Sequence, residues 1–215
     1  MAEIEPVGYY EGELGGKFGT PRQGGIAPSL RGRVIFTKKY ASPSSVRGLD
    51  GFERIWLIWG FSENRDVAPG LTVRPPRLGG NASVGVFASR SPYRPNALGL
   101  SAVTLLEVAP DGSSITVGGA DLIDGTPVYD VKPYVAYADA FPDSRSGFAS
   151  EAPERLEVVF PEGFPFKGRK LEALREILSL DPRPAYQDDP ERIYGLVFDK
   201  KNVRFLVRNG RVEVL

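Results

Sequence analysis

Residues 86–101, VFASRSPYRPNALGLS, bring together several groups that bind anions and flat rings. Arg90 and Arg94 carry guanidinium groups, which suit a carboxylate or a phosphate because they donate hydrogen bonds as a planar fork. Tyr93 offers a face for stacking, and Asn96 can hydrogen-bond to an amide or to the edge of a base. Prolines within the stretch stiffen the backbone between these side chains. The pattern predicts that this stretch holds a ligand.

Three other stretches place polar side chains beside glycine and proline: KFGTPRQGG at 17–25, VRPPRLGGN at 73–81 and DLIDGTPVYDVKPY at 121–134. In the first, glycine permits a close backbone approach to a ligand, while Arg22 and Gln23 present hydrogen-bond donors and an amide. Each stretch also fits a structural interpretation, as a surface turn, a polyproline-like spacer or an Asx-type turn. None contains a Walker or dinucleotide-binding glycine motif, so taken singly none identifies a ligand.

The residue types that are missing narrow the chemistry. The 215 residues include no cysteine and no histidine, which excludes disulfides, thiol nucleophiles, imidazole bases and zinc sites with the usual ligands. No clustered acidic loop indicates a Mg²⁺ or Ca²⁺ site, so we expect no metal. The N-terminus lacks the regions of a signal peptide, and no window comes near the ~18 apolar residues of a membrane helix. We therefore expect a cytoplasmic protein with no membrane partner.

Charge is unevenly distributed along a chain whose 27 basic and 27 acidic residues give no net charge. Residues 17–49 contain seven basic residues and no acid, and residues 67–106 contain four arginines and no acid. Such segregation predicts a positive face on a neutral molecule, to which phosphates would respond. The alternative interpretation is a chance clustering of charges on solvated loops.

The elements that must position these stretches are mostly short strands. Apolar runs between glycine and proline predict strands at 4–10, 32–37, 52–61, 83–88, 99–108, 114–120 and 128–131. The dipeptide Asp111-Gly112 predicts a hairpin turn, and the apolar run at 52–61 predicts a strand covered on both faces. Residues 42–49 are predicted to form one short helical stretch. So many strands with so few helices between them favour a closed or nearly closed barrel over a doubly wound α/β sheet.

The character of the chain changes after residue 134. Residues 136–154 are small, polar and interrupted by proline, which is typical of a linker. The segments predicted after this linker are a strand at 156–160, an amphipathic helix within 165–180 and three short strands within 192–214. We therefore predict a mainly β protein with few helices, in which a barrel domain at 1–140 precedes a small C-terminal α+β domain at 150–215.

Together, and in this order, the polar stretches resemble the TsaA-like family of S-adenosylmethionine-binding proteins. The residues that carry the resemblance are GTPRQGG, VRGLDGFERIWLIWGF, TVRPPRLGGNASVGVFASRSPYRPNALGLS and LIDGTPVYDVKPY, which span most of residues 5–135. The tail is similar too, with DPRPAYQ at 181–187 followed by YGLVFDKKNVRFLV. The resemblance implies a TsaA-like β-barrel that binds S-adenosylmethionine without a Rossmann sheet and works as a homodimer.

The resemblance also implies a set of cofactor contacts. Carried over by position, these contacts fall on Pro21, Arg22, Gln23, Ser62, Glu63, Arg90, Leu100, Asp124, Gly125, Thr126 and Pro127. Many members of the family have a histidine where this chain has Ser62, and this chain has no histidine at all. The contact at that position must therefore be made differently or be absent.

The reaction implied by the resemblance is methylation of N6 of threonylcarbamoyladenosine beside the anticodon of tRNA. Such a transfer depends on alignment of the acceptor nitrogen with the methyl group, and it needs a group that accepts the N6 proton. We hypothesise that Asp124 or Asp130 accepts this proton, while Tyr134 and Lys132 orient the threonylcarbamoyl group. The residues expected to bind the anticodon arm or the modified base are Lys38, Lys39, Arg74, Arg77, Arg94, Asn96 and Lys132.

A non-catalytic barrel that binds S-adenosylmethionine or RNA is the alternative function. The missing histidine supports a cofactor-binding regulator that has lost turnover, and the basic, aromatic-containing loops support a plain RNA-binding barrel. Binding of the cofactor would distinguish the enzyme and the regulator from the plain RNA-binding barrel. Transfer of a methyl group would distinguish the enzyme from the regulator.

Overall fold

Six antiparallel strands close into a barrel in the N-terminal part of the protein. The computed structural model describes residues 4–64, 68–79, 81–184 and 187–215, so Gly80 of the VRPPRLGGN stretch and 185–186 of the tail motif lie outside the described residues. The strands of this part are β1 (Gly8–Gly12), β2 (Arg31–Phe36), β3 (Arg54–Gly60), β4 (Thr72–Val73), β5 (Val84–Gly85), β6 (Leu98–Val108), β7 (Ser114–Gly118) and β8 (Pro127–Pro133). The barrel order is β1-β2-β7-β6-β3-β8, and β4 pairs with β5 in a separate small sheet. The predicted mainly β barrel is confirmed.

The antiparallel pairing determines which connections share an end of the barrel. Every neighbour in the ring runs antiparallel, so the chain leaves β1, β3 and β7 at one end and returns there through β2, β6 and β8. The connections 13–30, 61–97 and 119–126 therefore gather at what we call the long-loop end. The connections 37–53 and 109–113 lie at the opposite end, where β8 also finishes.

The barrel interior is filled by alternate residues of the strands, as the two-residue period of a strand requires. The interior residues with no more than 2 % exposure include Tyr10, Val34, Ile55, Leu57, Val103, Ile115, Val117 and Val128. The strand predicted at 52–61 was expected to be covered on both faces, and that expectation is wrong within a single chain. Ile55, Leu57 and Trp59 are buried inside, whereas Trp56 and Ile58 are half-buried on the outer wall.

A second layer of structure forms from the C-terminal residues. Its elements are β9 (Glu157–Val159), an α-helix (Gly168–Ser179), β10 (Tyr194–Phe198), β11 (Lys201–Arg208) and β12 (Arg211–Val214). The strands form a sheet of order β10-β11-β12-β9, and Ala173, Leu174, Ile177 and Leu178 of the helix are buried against it. The predicted amphipathic helix and the strands around it are confirmed as an α+β unit.

The segment between the two units contains the other α-helix of the described residues. Counting this helix as α1 (Ala136–Asp139) and the C-terminal one as α2, neither is long and apolar enough to cross a membrane. Asp139 anchors α1, because its carboxylate accepts hydrogen bonds from the Trp56 indole and the Val135 N–H, both at 2.9 Å. These hydrogen bonds lower the pKa of Asp139 below its usual range. Residues predicted as a linker thus include one short, anchored helix.

Two local predictions are wrong. Residues 42–48 form turns and Leu49 begins a 3-10 turn, because the Ser45 hydroxyl donates at 2.7 Å to the Ser42 carbonyl, which the first hydrogen bond of a helix would need. The run at 83–88 is a strand only over Val84–Gly85 and continues as one 3-10 turn over Val86–Ala88. That turn ends where the Ser89 hydroxyl donates to the Val86 carbonyl at 2.9 Å.

Tyr10 fills the interior beside Gly12 and Gly32, which face each other across β1 and β2. A Cβ atom at Gly32 would overlap the Tyr10 ring, and overpacking of a core costs about 1–3 kcal/mol. We expect Gly32→Ala to lower the free energy of unfolding by that amount in a urea titration. Gly51→Ala is the control, because an added Cβ there meets nothing within 4 Å, and it should change stability by less than ~0.5 kcal/mol. Equal stability of the two variants would contradict this packing.

Candidate functional site

The three connections at the long-loop end contact one another directly. The Arg90 guanidinium of connection 61–97 donates to the Gln23 side chain of connection 13–30. The N–H of Asp124 in connection 119–126 donates to the carbonyl of Leu14 at 2.9 Å. Residues as far apart in sequence as Leu14 and Asp124 thus meet at one end of the barrel.

The turn Asp124–Pro127 is fixed rigidly to the first strand. The Gly125 N–H donates to the Tyr10 carbonyl at 2.8 Å, and the Tyr10 N–H donates to the Thr126 carbonyl at 2.9 Å. Gly125 has a φ of 79°, a conformation that glycine adopts without strain. Asp124 is exposed, and one of its carboxylate oxygens accepts a hydrogen bond from the Gly12 N–H at 3.0 Å. The turn therefore presents a carboxylate to solvent on a backbone that is held in place.

A half-buried carboxylate, Asp121, lies behind this turn. The Ser101 hydroxyl donates to Asp121 at 2.5 Å, and the Trp59 indole N–H donates to Ser101 at 2.9 Å. Burial raises the pKa of the Asp121 carboxyl, and hydrogen bonds from Ser101 and the Gly24 backbone, with the nearby Arg90 guanidinium, oppose that shift. Asp121 is thus a carboxylate held by hydrogen bonds beneath the loops.

Asp121 is the first residue of the stretch DLIDGTPVYDVKPY, and no role is predicted for it from the sequence. Its position three residues after β7 was the available signal, because residues just beyond a strand lie among the loops at that end of a barrel. Gly24 explains how the loop reaches it, since a Cβ atom there would lie 3.3 Å from the Asp121 carboxylate and 3.2 Å from the Ala102 carbonyl. The glycine therefore allows the loop backbone to lie against the barrel rim.

The loop that carries Arg90 is stabilised by its own side chains. The Arg94 guanidinium donates to the Ser89 carbonyl at 3.2 Å, and the Ala97 N–H donates to the Arg94 carbonyl at 3.0 Å. Tyr93 and Asn96 are exposed on the same loop. Arg94 is thus partly occupied in bracing the loop, while Tyr93 and Asn96 are accessible to a ligand.

Ser62 and Glu63 also lie at the long-loop end. They begin a one-turn 3-10 helix, Ser62–Asn64, immediately after β3. The Lys17 ammonium donates to the backbone carbonyl of Glu63, which joins this turn to connection 13–30. The structure therefore brings these two residues to the same end of the barrel as Pro21, Arg22 and Gln23.

Leu100 and Asp130 occupy the outer wall of the barrel. Both pair with Ile58 in adjacent strands, so the three residues form one row across β6, β3 and β8. Leu100 is 60 % exposed, and Asp130 is exposed with a carboxylate oxygen 2.9 Å from the Val131 N–H. The row lies close to connection 61–97, but its side chains are on the outside of the barrel.

Lys132 and Tyr134 continue along the outer wall toward the opposite end. Lys132 pairs with Trp56, and the Tyr134 ring lies 5.5 Å from the Trp56 ring between centroids. A strand rises about 3.3 Å per residue, which puts Tyr134 roughly 23 Å from the Asp124 turn. Within one chain the structure does not bring these residues to the loops.

The predicted phosphate-binding residues fall into two groups. Lys38 and Lys39 are exposed in connection 37–53, at the opposite end of the barrel. Arg74 and Arg77 lie in connection 61–97 at the long-loop end, where the Arg77 guanidinium donates to the Glu151 carbonyl. One chain therefore does not join these four residues in a single patch.

Metal ligands are not clustered in the part of the chain that the structure describes, where no group of three or more acidic side chains is arranged to hold an ion. The charged groups at the long-loop end instead have both signs, and Arg90 lies near the Asp121 carboxylate. Such an arrangement suits a ligand that carries both signs of charge.

Comparison with known families assigns both units of the chain. Residues 10–140 match the family model of the tRNA-methyltransferase O N-terminal domain, and residues 153–215 match that of the TrmO C-terminal domain. The two models together span most of the sequence.

Curated relatives and solved structures agree with these matches. A tRNA (adenine(37)-N6)-methyltransferase of Escherichia coli is 37% identical, covering 99% of this chain and 96% of the relative. A putative S-adenosylmethionine-dependent methyltransferase, RcsF of Pseudomonas aeruginosa, is 39% identical over 90% of this chain and 87% of its own. A crystal structure of TrmO from Pseudomonas aeruginosa superposes with a TM-score of 0.83 at 29% identity, covering 100% of this chain and 97% of that one.

A closed β-barrel that gathers connections 13–30, 61–97 and 119–126 at one end, together with these relatives, defines a tRNA methyltransferase as the class of protein. The chain belongs to the TrmO family of these enzymes.

Desolvation of the Asp121 carboxyl makes the stability of the protein depend on pH. Its pKa is raised above the ordinary value of 3.8, so the folded state binds more protons than the unfolded state above that pH, and its contribution to stability falls as pH rises through the raised pKa. We expect the free energy of unfolding of Asp121→Asn, measured relative to the unsubstituted protein, to increase as pH rises from 4 toward neutrality. Urea titrations at several pH values measure this difference. Asp143→Asn, at an exposed position, is the control, and a difference independent of pH for Asp121→Asn would contradict the burial argument.

Proposed function

We propose that this protein transfers a methyl group from S-adenosylmethionine to N6 of threonylcarbamoyladenosine beside the anticodon of tRNA. The observation that carries this proposal is the meeting of connections 13–30, 61–97 and 119–126 at one end of the barrel, because each contains residues expected to contact the cofactor. Membership of the TrmO family and the names of its full-length relatives support the same reaction.

The charged groups at the long-loop end fit the methyl donor. S-adenosylmethionine carries a carboxylate, an ammonium group and a cationic sulfur. Arg90 would hold the carboxylate, since its guanidinium is already oriented by Gln23 and by the field of Asp121. The exposed carboxylate of Asp124 would attract the positive groups. When bound, the donor supplies an electrophilic methyl group on a positively charged sulfur.

Positioning is the main contribution that these residues make to catalysis. Alignment of two reacting groups supplies up to about 7–11 kcal/mol of the barrier in favourable cases, and the rigid turn and the braced Arg90 loop provide fixed attachment points for it. The chain has no histidine or cysteine, so the N6 proton must pass to a carboxylate, a hydroxyl group or water. Asp124 is the favoured acceptor, because it lies at the long-loop end, whereas Asp130 faces outward on the barrel wall.

A homodimer would bring the remaining predicted residues into use. The outer wall carries Leu100 at 60 % exposure beside the half-buried Ile58 and Trp56, an apolar surface that a second copy would cover. Pairing through this wall would carry the partner's face with Asp130, Lys132 and Tyr134 toward the loops. We propose that these three residues act on the substrate in a paired protein and not within one chain.

The anticodon arm of tRNA is the proposed macromolecular substrate. Arg74, Arg77 and Arg94 lie in the connection that also carries Arg90, so phosphates bound there would be close to the methyl donor. Lys38 and Lys39 lie at the opposite end of the barrel. They would contact a more distant part of the same tRNA, or the lysines of the second copy in a dimer would contact it.

Incubation of the purified protein with S-adenosylmethionine and tRNA tests the proposed function. We expect mass spectrometry of the nucleosides to show threonylcarbamoyladenosine gaining one methyl group, with no product on the same tRNA lacking the threonylcarbamoyl group. Binding of the donor without any product would favour the cofactor-binding regulator. Binding of tRNA without binding of the donor would favour the plain RNA-binding barrel.

Asp124→Asn tests the proton acceptor, because the amide keeps the shape and the hydrogen bond to Gly12 but is not basic. General base catalysis is worth about 10²–10⁴-fold, so we expect the methylation rate at saturating donor and tRNA to fall within that range. Donor affinity, measured by calorimetry, should change much less. Asp143→Asn, at an exposed position between the two units, is the control and should keep the wild-type rate. A wild-type rate for Asp124→Asn would assign the proton to another group.

A further inference from the structure

Residues 13–30, which we call the cofactor loop, belong to the barrel in sequence but pack into the C-terminal unit. Leu14, Ala27 and Leu30 are each at most 2 % exposed, and all three lie in the hydrophobic core formed by α2 and the β9–β12 sheet. The loop tip, which carries Pro21, Arg22 and Gln23, is the part expected to contact the methyl donor. Its stems are therefore anchored outside the barrel.

Backbone pairing and aromatic stacking attach the first stem. The Gly15 N–H donates to the Val197 carbonyl at 3.1 Å, and the Asp199 N–H donates to the Glu13 carbonyl at 2.7 Å. The Phe18 ring stacks near the Tyr194 ring with centroids 6.1 Å apart. The stem thus lies along β10 like a short additional strand.

One side chain of α2, Arg169, ties the two ends of the loop together. Its guanidinium donates to both oxygens of Glu13, at 3.0 Å and 2.6 Å, and also to the Ser29 carbonyl at 2.9 Å. Glu13 in turn accepts the N–H of Arg31 at 3.0 Å, where β2 begins. The Glu13 side chain is only 10 % exposed and that of Arg169 is 35 % exposed, so the carboxylate of this two-pronged ion pair is largely shielded from solvent.

Two more residues of the C-terminal unit hold the second stem. Glu176 of α2 accepts the Ser29 N–H at 2.8 Å and the Ser29 hydroxyl at 2.9 Å. Arg155 donates to the Ile26 carbonyl at 2.6 Å. Three charged side chains of the C-terminal unit therefore bind the backbone or side chains of one loop.

From this geometry we infer that the C-terminal unit is a brace for the methyl-donor site, and that Arg169 is a positioning residue for it. Arg169 touches neither the donor nor the reacting atoms in this assignment. It acts by holding both ends of the cofactor loop, so that Gln23 stays in contact with Arg90 at the tip. This inference rests on the proposed function, and it assigns the C-terminal unit a role in donor affinity that is separate from any contact with tRNA.

Arg169→Ala in the full-length protein tests the brace, and Arg208→Ala is the matched control. Arg208 forms an ion pair with Glu213 of the same 2.6 Å length, but entirely within the C-terminal sheet. We expect Arg169→Ala to weaken calorimetric binding of S-adenosylmethionine roughly five- to tenfold, as for loss of a charge-assisted hydrogen-bonded pair. The KM for the donor should rise to match. Two other values should stay within about twofold: kcat, measured at saturating donor, and the affinity for tRNA, measured without the donor. Arg208→Ala should leave all four values within about twofold.

Two additional measurements make the result independent of turnover and of misfolding. Trypsin should cut after Lys17 and Arg22 in the cofactor loop several-fold faster in Arg169→Ala than in Arg208→Ala. Arg169→Lys keeps the charge but loses the two-pronged geometry, so it should show intermediate donor affinity and an intermediate cutting rate, and it carries the test if the alanine variant does not fold.

Unchanged donor affinity in Arg169→Ala and Arg169→Lys would overturn the inference, as would an equal loss of tRNA and donor affinity. A wild-type protein that binds the donor but does not methylate tRNA would overturn the proposed function and leave the brace standing. If the wild type does not bind the donor, the proposed function fails, and equal tryptic rates in the two alanine variants would then overturn the brace on its own.

Discussion

Closure of an antiparallel sheet is the constraint on which the arrangement of this protein depends. Because each strand reverses the direction of its neighbour, the connections of a six-stranded ring alternate between its ends. The three connections that carry the predicted cofactor-binding residues all leave from the same end, whereas connections 37–53 and 109–113 lie at the other. Residues 21–23, 90 and 124–127 are therefore neighbours because of the hydrogen bonding of the barrel.

The C-terminal unit changes what that arrangement can do. A loop of about eighteen residues that was held only at its ends would have considerable entropy to lose when it bound a ligand. Here the core of a second unit holds both stems, so most of that entropy is already lost when the protein folds. Folding of the C-terminal unit and affinity for the ligand are consequently linked, and any ligand that binds the tip also stabilises the contact between the two units.

Much of the local structure could be predicted from the sequence, and the errors have physical causes. Alternation of apolar residues placed most of the strands, and leucine spacing placed α2. The predicted helix at 42–49 failed because serine hydroxyls compete for backbone groups, which a pattern of apolar residues does not show. The site was predicted as separate stretches, but the order of strands that brings them together depends on pairings distant in sequence. The Arg169–Glu13 contact spans 156 residues, and no local pattern indicates it.

Tyr10 has one more consequence for the site. Its ring occupies the lumen between Gly12 and Gly32, and burial raises the pKa of its hydroxyl far above the usual range, so it stays neutral there. Because the Tyr10 ring fills the lumen, a small molecule bound at the long-loop end rests on the rim of the barrel. It enters or leaves without breaking hydrogen bonds between the strands. Exchange of such a molecule then depends on the loops at the rim and on the contacts that hold them. Sequence drift at lumen-facing residues would change how long the fold survives more than it would change residence time.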